Sequence, residues 1–513
     1  MQTQRSCGIL LHISSLPGQH GIGTMGQEAF HVADLLALGG QTYWQVLPLH
    51  PVTAAFGYSP YACLSAFAGN PLLISLMQLK KQSWCDVSLD ENDFPDEDFV
   101  DYDRVAADTE AMLSAVADCF LKKAPASEKK RFEAFCKRES FWLEDFALFA
   151  ACAEQFKTQC WLSWESSLAL RKPEAIAHWA IALQSRVHIH KCIQYFFFSQ
   201  WKEFKKYCNS KGLRIIGDLP IYVPLDSADA WAHPEIFQLD PHTRKPTFVA
   251  GVPPDYFSKT GQLWGNPLYQ WRTPDKHLCE ETLRWWVHRM RHALTLADVV
   301  RIDHFRGFQA YWAVPAGETT AVRGKWRKGP GAEFFKRLHE ELGDMPVIAE
   351  DLGHITPDVV NLRTQLAFPG MKVLQFAFDH NNKNPYLPHT YTDPHCVVYT
   401  GTHDNNTTNG WFYGAETDDA TRRYAMEYIG TDRFSDFHWH LIRLAYQSVA
   451  LVVIIPAQDL LGYGAEFRMN TPGTVTGNWR WKLKRGALTE ELMMRLRRLA
   501  HLYDRIPDRK NPA

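Results

Sequence analysis

Five short apolar runs in this chain of 513 residues each deliver an acid at their C-terminal end. Run 213–217 is followed by Asp218, run 298–302 by Asp303, and run 347–349 by Glu350 and Asp351. Run 396–400 leads to His403 and Asp404, and run 451–455 to Gln458 and Asp459. Short β-branched runs of this kind read as buried parallel strands. Barrel enzymes assemble their active sites at the C-terminal ends of such strands. Helix capping is the plain alternative for an acid there; it suits Asp351 and Asp459 best, but accounts poorly for all five. Arg301 and Asp303 lie two apart on one strand and share a face, so the cation is expected to lower the Asp303 pKa and keep it ionised. Glu350 has no basic sequence neighbour, and nearby carboxylates are expected to raise its pKa. One anionic and one protonated carboxyl form the pair that glycosidic-bond cleavage requires. Asp404 is the candidate to hold sugar hydroxyls and stabilise an oxocarbenium-like transition state, and His403 can donate to a hydroxyl.

The elements that must position these acids follow from three further apolar runs, 8–12, 43–47 and 372–376, which bring the strands to eight. Helical spacing lies between many of them, as in Leu283, Trp286, Met290 and Leu294, and in Leu492, Leu496, Leu499, Tyr503 and Ile506. Eight strands alternating with helices predict an α/β fold, a (β/α)8 TIM barrel. The strands are unevenly spaced. Residues 1–52 are assigned to strands 1 and 2 and 53–212 to a helical insertion, with helices expected over 109–123, 127–138, 141–156 and 187–210. Residues 213–219 form strand 3, residues 220–280 a second insertion, and 281–513 the rest of the barrel, with no separate C-terminal β-domain.

Composition narrows the function. Lys plus Arg number 55 and Asp plus Glu 57, a net charge of −2. A nucleic-acid binder usually carries a basic excess and a membrane-surface protein a polybasic patch, so neither partner is expected. A neutral glycan needs no charge steering. The 30 Phe, 19 Tyr and 18 Trp exclude a disordered chain. Several of them fall in the insertions and can stack on sugar faces: Tyr58, Tyr61, Tyr256, Phe257, Trp264, Tyr269 and Trp271. Core packing is an equal alternative for each. Eleven scattered cysteines without a Cys-x-x-Cys pair, no signal peptide and no long apolar span point to a cytoplasmic protein.

Three motifs fail their context. The glycines of 21–26 match G-x-G-x-x-G but lack the acid about 20 residues on that a dinucleotide site needs. His188, His190 and Cys192 do not share one helix face, so no metal is expected. Lys325, Arg327 and Lys328 read as a small solvated basic loop.

Ten stretches resemble one family, the amylomaltases or 4-alpha-glucanotransferases of glycoside hydrolase family 77. They are GILLHISSLPG (8–18), YWQVLPL (43–49), GYSPY (57–61), GDLPIYV (217–223) and AGVPPDYFSKTGQLWGNPLYQW (250–271), then RIDHFRGF (301–308), AEDLG (349–353), GTHDN (401–405), QDLLG (458–462) and RMNTPGT (468–474). The resemblance implies Asp303 as nucleophile, Glu350 as general acid/base and Asp404 as transition-state stabiliser. It implies sugar-binding or supporting roles for Arg301, His403, Asp218, Ser59, Tyr61, Gln262, Trp264, His304 and Asp459, with 250–271 folding over the substrate. The chain is similar to the compact form without an added N-terminal domain. The implied reaction is transfer of α-1,4-glucan segments from a donor to the 4-hydroxyl of a glucan or glucose acceptor, without cofactor, by a monomer or weak homo-oligomer. A glucan hydrolase with the same acids is the rival.

Overall fold

The computed structural model describes residues 4–506 apart from 86, 88–96 and 255–257; Tyr256 and Phe257 lie outside the described residues. In chain order the strands are β1 (Ser6–Leu10), β2 (Tyr43–Gln45), β3 (Arg214–Leu219), β4 (Phe248–Val252), β5 (Gln262–Pro267) and β6 (Val299–Ile302). Then come β7 (Ala310–Pro315), β8 (Lys325–Lys328), β9 (Val347–Ala349), β10 (Gly370–Val373), β11 (Cys396–Tyr399) and β12 (Val452–Pro456). Eight of them pair in parallel in the order β10-β11-β12-β1-β2-β3-β6-β9. The two ends meet where the Ala349 N–H donates to Pro369 O at 3.0 Å. This is the expected barrel, with every expected strand within a few residues of its place. The largest slip is at 372–376, where the strand ends at Val373 and Leu374–Phe376 turns into a 3-10 helix.

The strands are short because each need only cross the barrel, and they are apolar because both faces are covered. All residues of β1, β6, β11 and β12 are buried. Each fully buried Val, Leu or Ile contributes about 1.5–3 kcal/mol relative to exposure. Helices Gln184–Ser210 and Lys276–Leu296 flank β3, and Glu490–Leu502 packs on Gln27–Leu38.

Two insertions rise above this frame. Between β2 and β3 the chain is helical: Tyr102–Lys123, Ala126–Arg138, Ser140–Phe156, Pro173–Ala182 and Gln184–Ser210. The first starts seven residues ahead of the expected 109, because Asp101 accepts from the Arg104 N–H and caps it there. The second insertion supplies β4 and β5 to an element the sequence did not announce, a four-stranded antiparallel sheet in the order β5-β4-β7-β8 whose other two strands follow β6. Residues 325–328 are therefore an edge strand rather than a loop, with Lys325 and Lys328 exposed as expected. Arg327 packs its guanidinium 3.7 Å from the Phe248 ring centre and donates to Gln238 Oε1 at 3.1 Å. Tyr269 and Trp271 are buried in the core beneath this sheet, which settles them as packing residues.

Candidate active site

The C-terminal ends of β3, β6, β9 and β11 converge on one cleft. Asp218 on β3 sits opposite Arg301 on β6 in register. Arg301 is 3% exposed and donates from Nη1 to both Asp218 oxygens, at 2.8 and 2.7 Å, and from Nη2 to Asp303 Oδ1 at 2.9 Å. One guanidinium thus spans two carboxylates, the fork geometry arginine supplies and lysine does not. The Tyr61 hydroxyl donates to Asp218 Oδ2 at 2.8 Å. Ser59 lies beneath, its Oγ accepting from the Tyr61 N–H at 3.2 Å.

Glu350 follows β9 and is held by backbone. Its Oε2 accepts from the His304 N–H at 2.8 Å and its Oε1 from the Leu352 N–H at 2.8 Å. His304 adopts a left-handed backbone, φ 50°, sparsely populated for a residue with a Cβ and common at functional sites. That turn aims its N–H at Glu350 directly beside Asp303. Burial, then the Asp303 charge, pushes the Glu350 carboxyl up to about 7, with Arg301 opposing. Burial also pushes Asp303 up to about 6; Arg301 pulls it down, while Asp218 and Asp404 push with burial. Arg301 lowers Asp303 as expected, but the net shift is upward, because burial outweighs the guanidinium and Asp218 and Asp404 add to the push. The order of the pair survives: Asp303 ionises before Glu350.

Asp404 differs. Against the upward push of burial, the His403 ring 3.3 Å away and the Asn470 side-chain N–H, donating at 2.6 Å, hold it well below the usual carboxylate range. Its side chain keeps 44% exposure to the cleft, and Asp303 keeps 27%. Both carboxylates are deep in the protein yet open towards the cleft. The Arg468 Nη2 donates to the Asp404 carbonyl at 2.8 Å. The His403 ring stacks on Tyr61, centroids 5.0 Å apart and 14° between planes, with Trp479 bracing both at 5.6 and 5.9 Å.

Over the recess hangs β5. Trp264 is 38% exposed, stands edge-on to His304 at 4.7 Å, and donates from Nε1 to Gln262 Oε1 at 3.2 Å. Gly265 follows with φ +80°, a conformation that favours glycine. Tyr58 stacks on Tyr102 at 4.6 Å and donates to Asp103 at 2.5 Å.

Asp459 stands apart from the other candidates. It is 2% exposed, and both oxygens are taken, by the Thr400 hydroxyl at 2.5 Å and the Thr408 N–H at 2.6 Å. Through these bonds it holds the loop that carries His403 and Asp404. Neither it nor Asp351 caps the helix that follows. Sequence reading assigned no role to Asn470 or Arg468, although both lie in RMNTPGT, nor to Trp479, whose φ of 65° no residue pattern reveals. His190 pairs with Glu154 at 2.9 Å, and the described residues hold no cluster of ligands fit for a metal ion.

A parallel barrel whose mouth gathers acids around one arginine, roofed by aromatic rings, belongs to the carbohydrate-active barrel enzymes. The family is narrower still. A family model described as 4-alpha-glucanotransferase matches residues 11–489, and the chain belongs to that family of glucan-transferring enzymes. It is 47% identical over 507 residues to a 4-alpha-glucanotransferase of a Synechocystis species, covering 98% of this chain and 99% of the relative. It is 46% identical over 510 residues to one of Thermus thermophilus, covering 99% and 100%. The solved amylomaltase of Streptococcus agalactiae, in complex with acarbose, superposes with a TM-score of 0.92 at 38% identity, covering 98% of this chain and 100% of that one.

Proposed function

We propose that this cleft moves α-1,4-glucan segments by double displacement with retention. Asp303 attacks the anomeric carbon while Glu350 protonates the leaving oxygen, and a glycosyl-enzyme ester forms on Asp303. Glu350, now a carboxylate, takes the proton from an acceptor 4-hydroxyl, which attacks the same carbon and releases Asp303. Asp404 faces the positive charge that develops on the ring and C1. Arg301 and Asp218 hold the nucleophile, and Tyr61 and His403 line the donor side. Gln262 and Trp264 cover the acceptor side, where they favour a sugar hydroxyl over water by holding it in place. Both steps are acid–base and nucleophilic, so no cofactor enters.

The observation that carries this reading is the pairing of Asp303 with Glu350 through a single turn. The peptide N–H after the nucleophile is bonded to the acid, and the two carboxyls are ordered so that Glu350 retains its proton longer. We place the enzyme in the cytoplasm, supported by buried free thiols such as Cys7, Cys63 and Cys192, as a monomer or weak homo-oligomer. No helix among the described residues is long and apolar enough to cross a membrane.

Incubation with maltotriose tests the function. A ladder of longer oligosaccharides with free glucose is expected at nearly constant reducing ends. Shorter sugars alone, with rising reducing ends, would assign hydrolysis instead.

A further inference from the structure

The barrel ladder is unbroken around seven of its eight seams. At the eighth, between β9 and β10, the strands share no paired register, and the Ala349 N–H to Pro369 O bond stands at its base. This is the seam beside Glu350. Backbone groups left without partners here would cost stability and would leave the strand carrying Glu350 loosely held.

Asp351 occupies the next rung. Its Oδ1 accepts from the Met371 N–H at 2.7 Å, where a strand carbonyl would otherwise sit. Its Oδ2 lies 3.0 Å from Arg363 Nε, with the side chain 13% exposed. Arg363 in turn donates from Nη1 to Phe368 O at 3.0 Å, tying the approach to β10 into the same knot. Gly370 leaves the space for it: a Cβ there would lie 2.4 Å from Asp351 Oδ2 and 2.7 Å from Oδ1. Three independent features, a missing ladder, a carboxylate in its place and a glycine beneath, converge on one residue.

We propose that Asp351 is a positioning residue: its carboxylate clasps the β9–β10 seam and thereby sets the angle at which Glu350 meets the glycosidic oxygen. The proposal rests on the reading of Glu350 as acid/base. Glu350 faces Asp303 and Arg301 from β6, Arg306 from the turn after β6, and Tyr386 from the segment after β10. Asp351 faces Arg363, Lys372, Tyr386 and Cys396. The Asp351 charge also adds to the upward push on Glu350, so its loss moves the alkaline limb of activity to lower pH.

Asp351→Ala in the full chain is the test, since it removes both the acceptor of the Met371 N–H and the partner of Arg363. With maltotriose, kcat is expected to fall about 10–100-fold, the range seen when a supporting partner of a reactive group is lost, with KM within about twofold. The alkaline limb should move to lower pH. First-turnover fluoride release from α-maltosyl fluoride, whose leaving group needs no proton, should stay within about threefold. Gly370→Ala, which displaces the carboxylate by contact, should reproduce the kcat loss. Wild-type kcat with an unmoved limb, or an equal loss on the fluoride, would overturn the clasp. Glu350→Gln separates the underlying reading: it should fail on maltotriose yet release fluoride, and if it transfers normally the role of Glu350 falls rather than the seam.

Discussion

The strand ends and the antiparallel sheet above them are built on different principles. At the strand ends, polar groups are locked by charge-assisted bonds of 2.6–2.9 Å, as with Arg301, Asp218 and Asp303 or Asp404 and Asn470. On the sheet, Trp264 is held by one bond to Gln262, an edge contact to His304 and a glycine on its C-terminal side. The first region is preorganised for charge that appears only in the transition state. The second offers surface and shelter to whatever arrives. The difference teaches where rate and choice of acceptor reside: substitutions below should lower kcat, and substitutions above should alter KM and the share of hydrolysis.

The largest effect is expected from Asp303→Asn and Glu350→Gln, each lowering transfer by about three to five orders of magnitude with the fold retained, checked by initial rates and circular dichroism. Near-normal transfer by either would break the comparison at its base. Asp404→Asn should follow at about 10²–10³-fold in kcat, the scale of a lost preorganised electrostatic contact. Asn470→Ala should cost less, about tenfold, since it removes one of two groups holding Asp404. Trp264→Ala should leave kcat within about fivefold, raise KM for a glucose acceptor and increase reducing-end release. If its kcat falls as far as that of Asp404→Asn, the division between the two regions is wrong.

pH sharpens the same contrast. On the proposed mechanism Asp303 is ionised and Glu350 protonated in the first step, so activity should fall below about pH 6 and above about pH 7. Stability carries its own sign. Both carboxyls are raised above their unfolded values of about 3.9 and 4.3, so the folded state keeps protons that the unfolded state has released. Stability from these groups is present below pH 4 and is lost as pH rises towards 7. Asp303→Asn and Glu350→Gln should therefore flatten the fall in melting temperature over that range. Asp404 has the opposite sign: its lowered pKa stabilises above about pH 4 and that contribution is lost on further acidification.

The barrel was legible because both its faces are buried, so each strand reads as a short apolar run, five of the eight with an acid at the end. The antiparallel sheet was not. Its strands contain Gly251, Gly265 and Pro267, and β8 reads Lys-Trp-Arg-Lys, a polar edge that owes its pairing to β7 rather than to its own pattern. Among site residues, adjacency in sequence revealed Arg301 with Asp303 and His403 with Asp404. It could not reveal that Arg301 is shared with Asp218 across 83 positions, nor how deeply Asp303 is buried, which is why its net shift was expected in the wrong direction. Asp459 shows the converse. Its place after β12 resembles that of the reactive acids, and only Thr400 and Thr408 show that both its oxygens are spoken for.

The proposed mechanism turns on a covalent intermediate at Asp303. A fluorinated maltosyl fluoride that slows the second step should trap it, and mass spectrometry of the digested protein locates the added sugar. The account requires a mass increase on the peptide containing Asp303, absent in Asp303→Asn and formed in Glu350→Gln. A sugar on another acid, or no adduct while fluoride is still released, would contradict it.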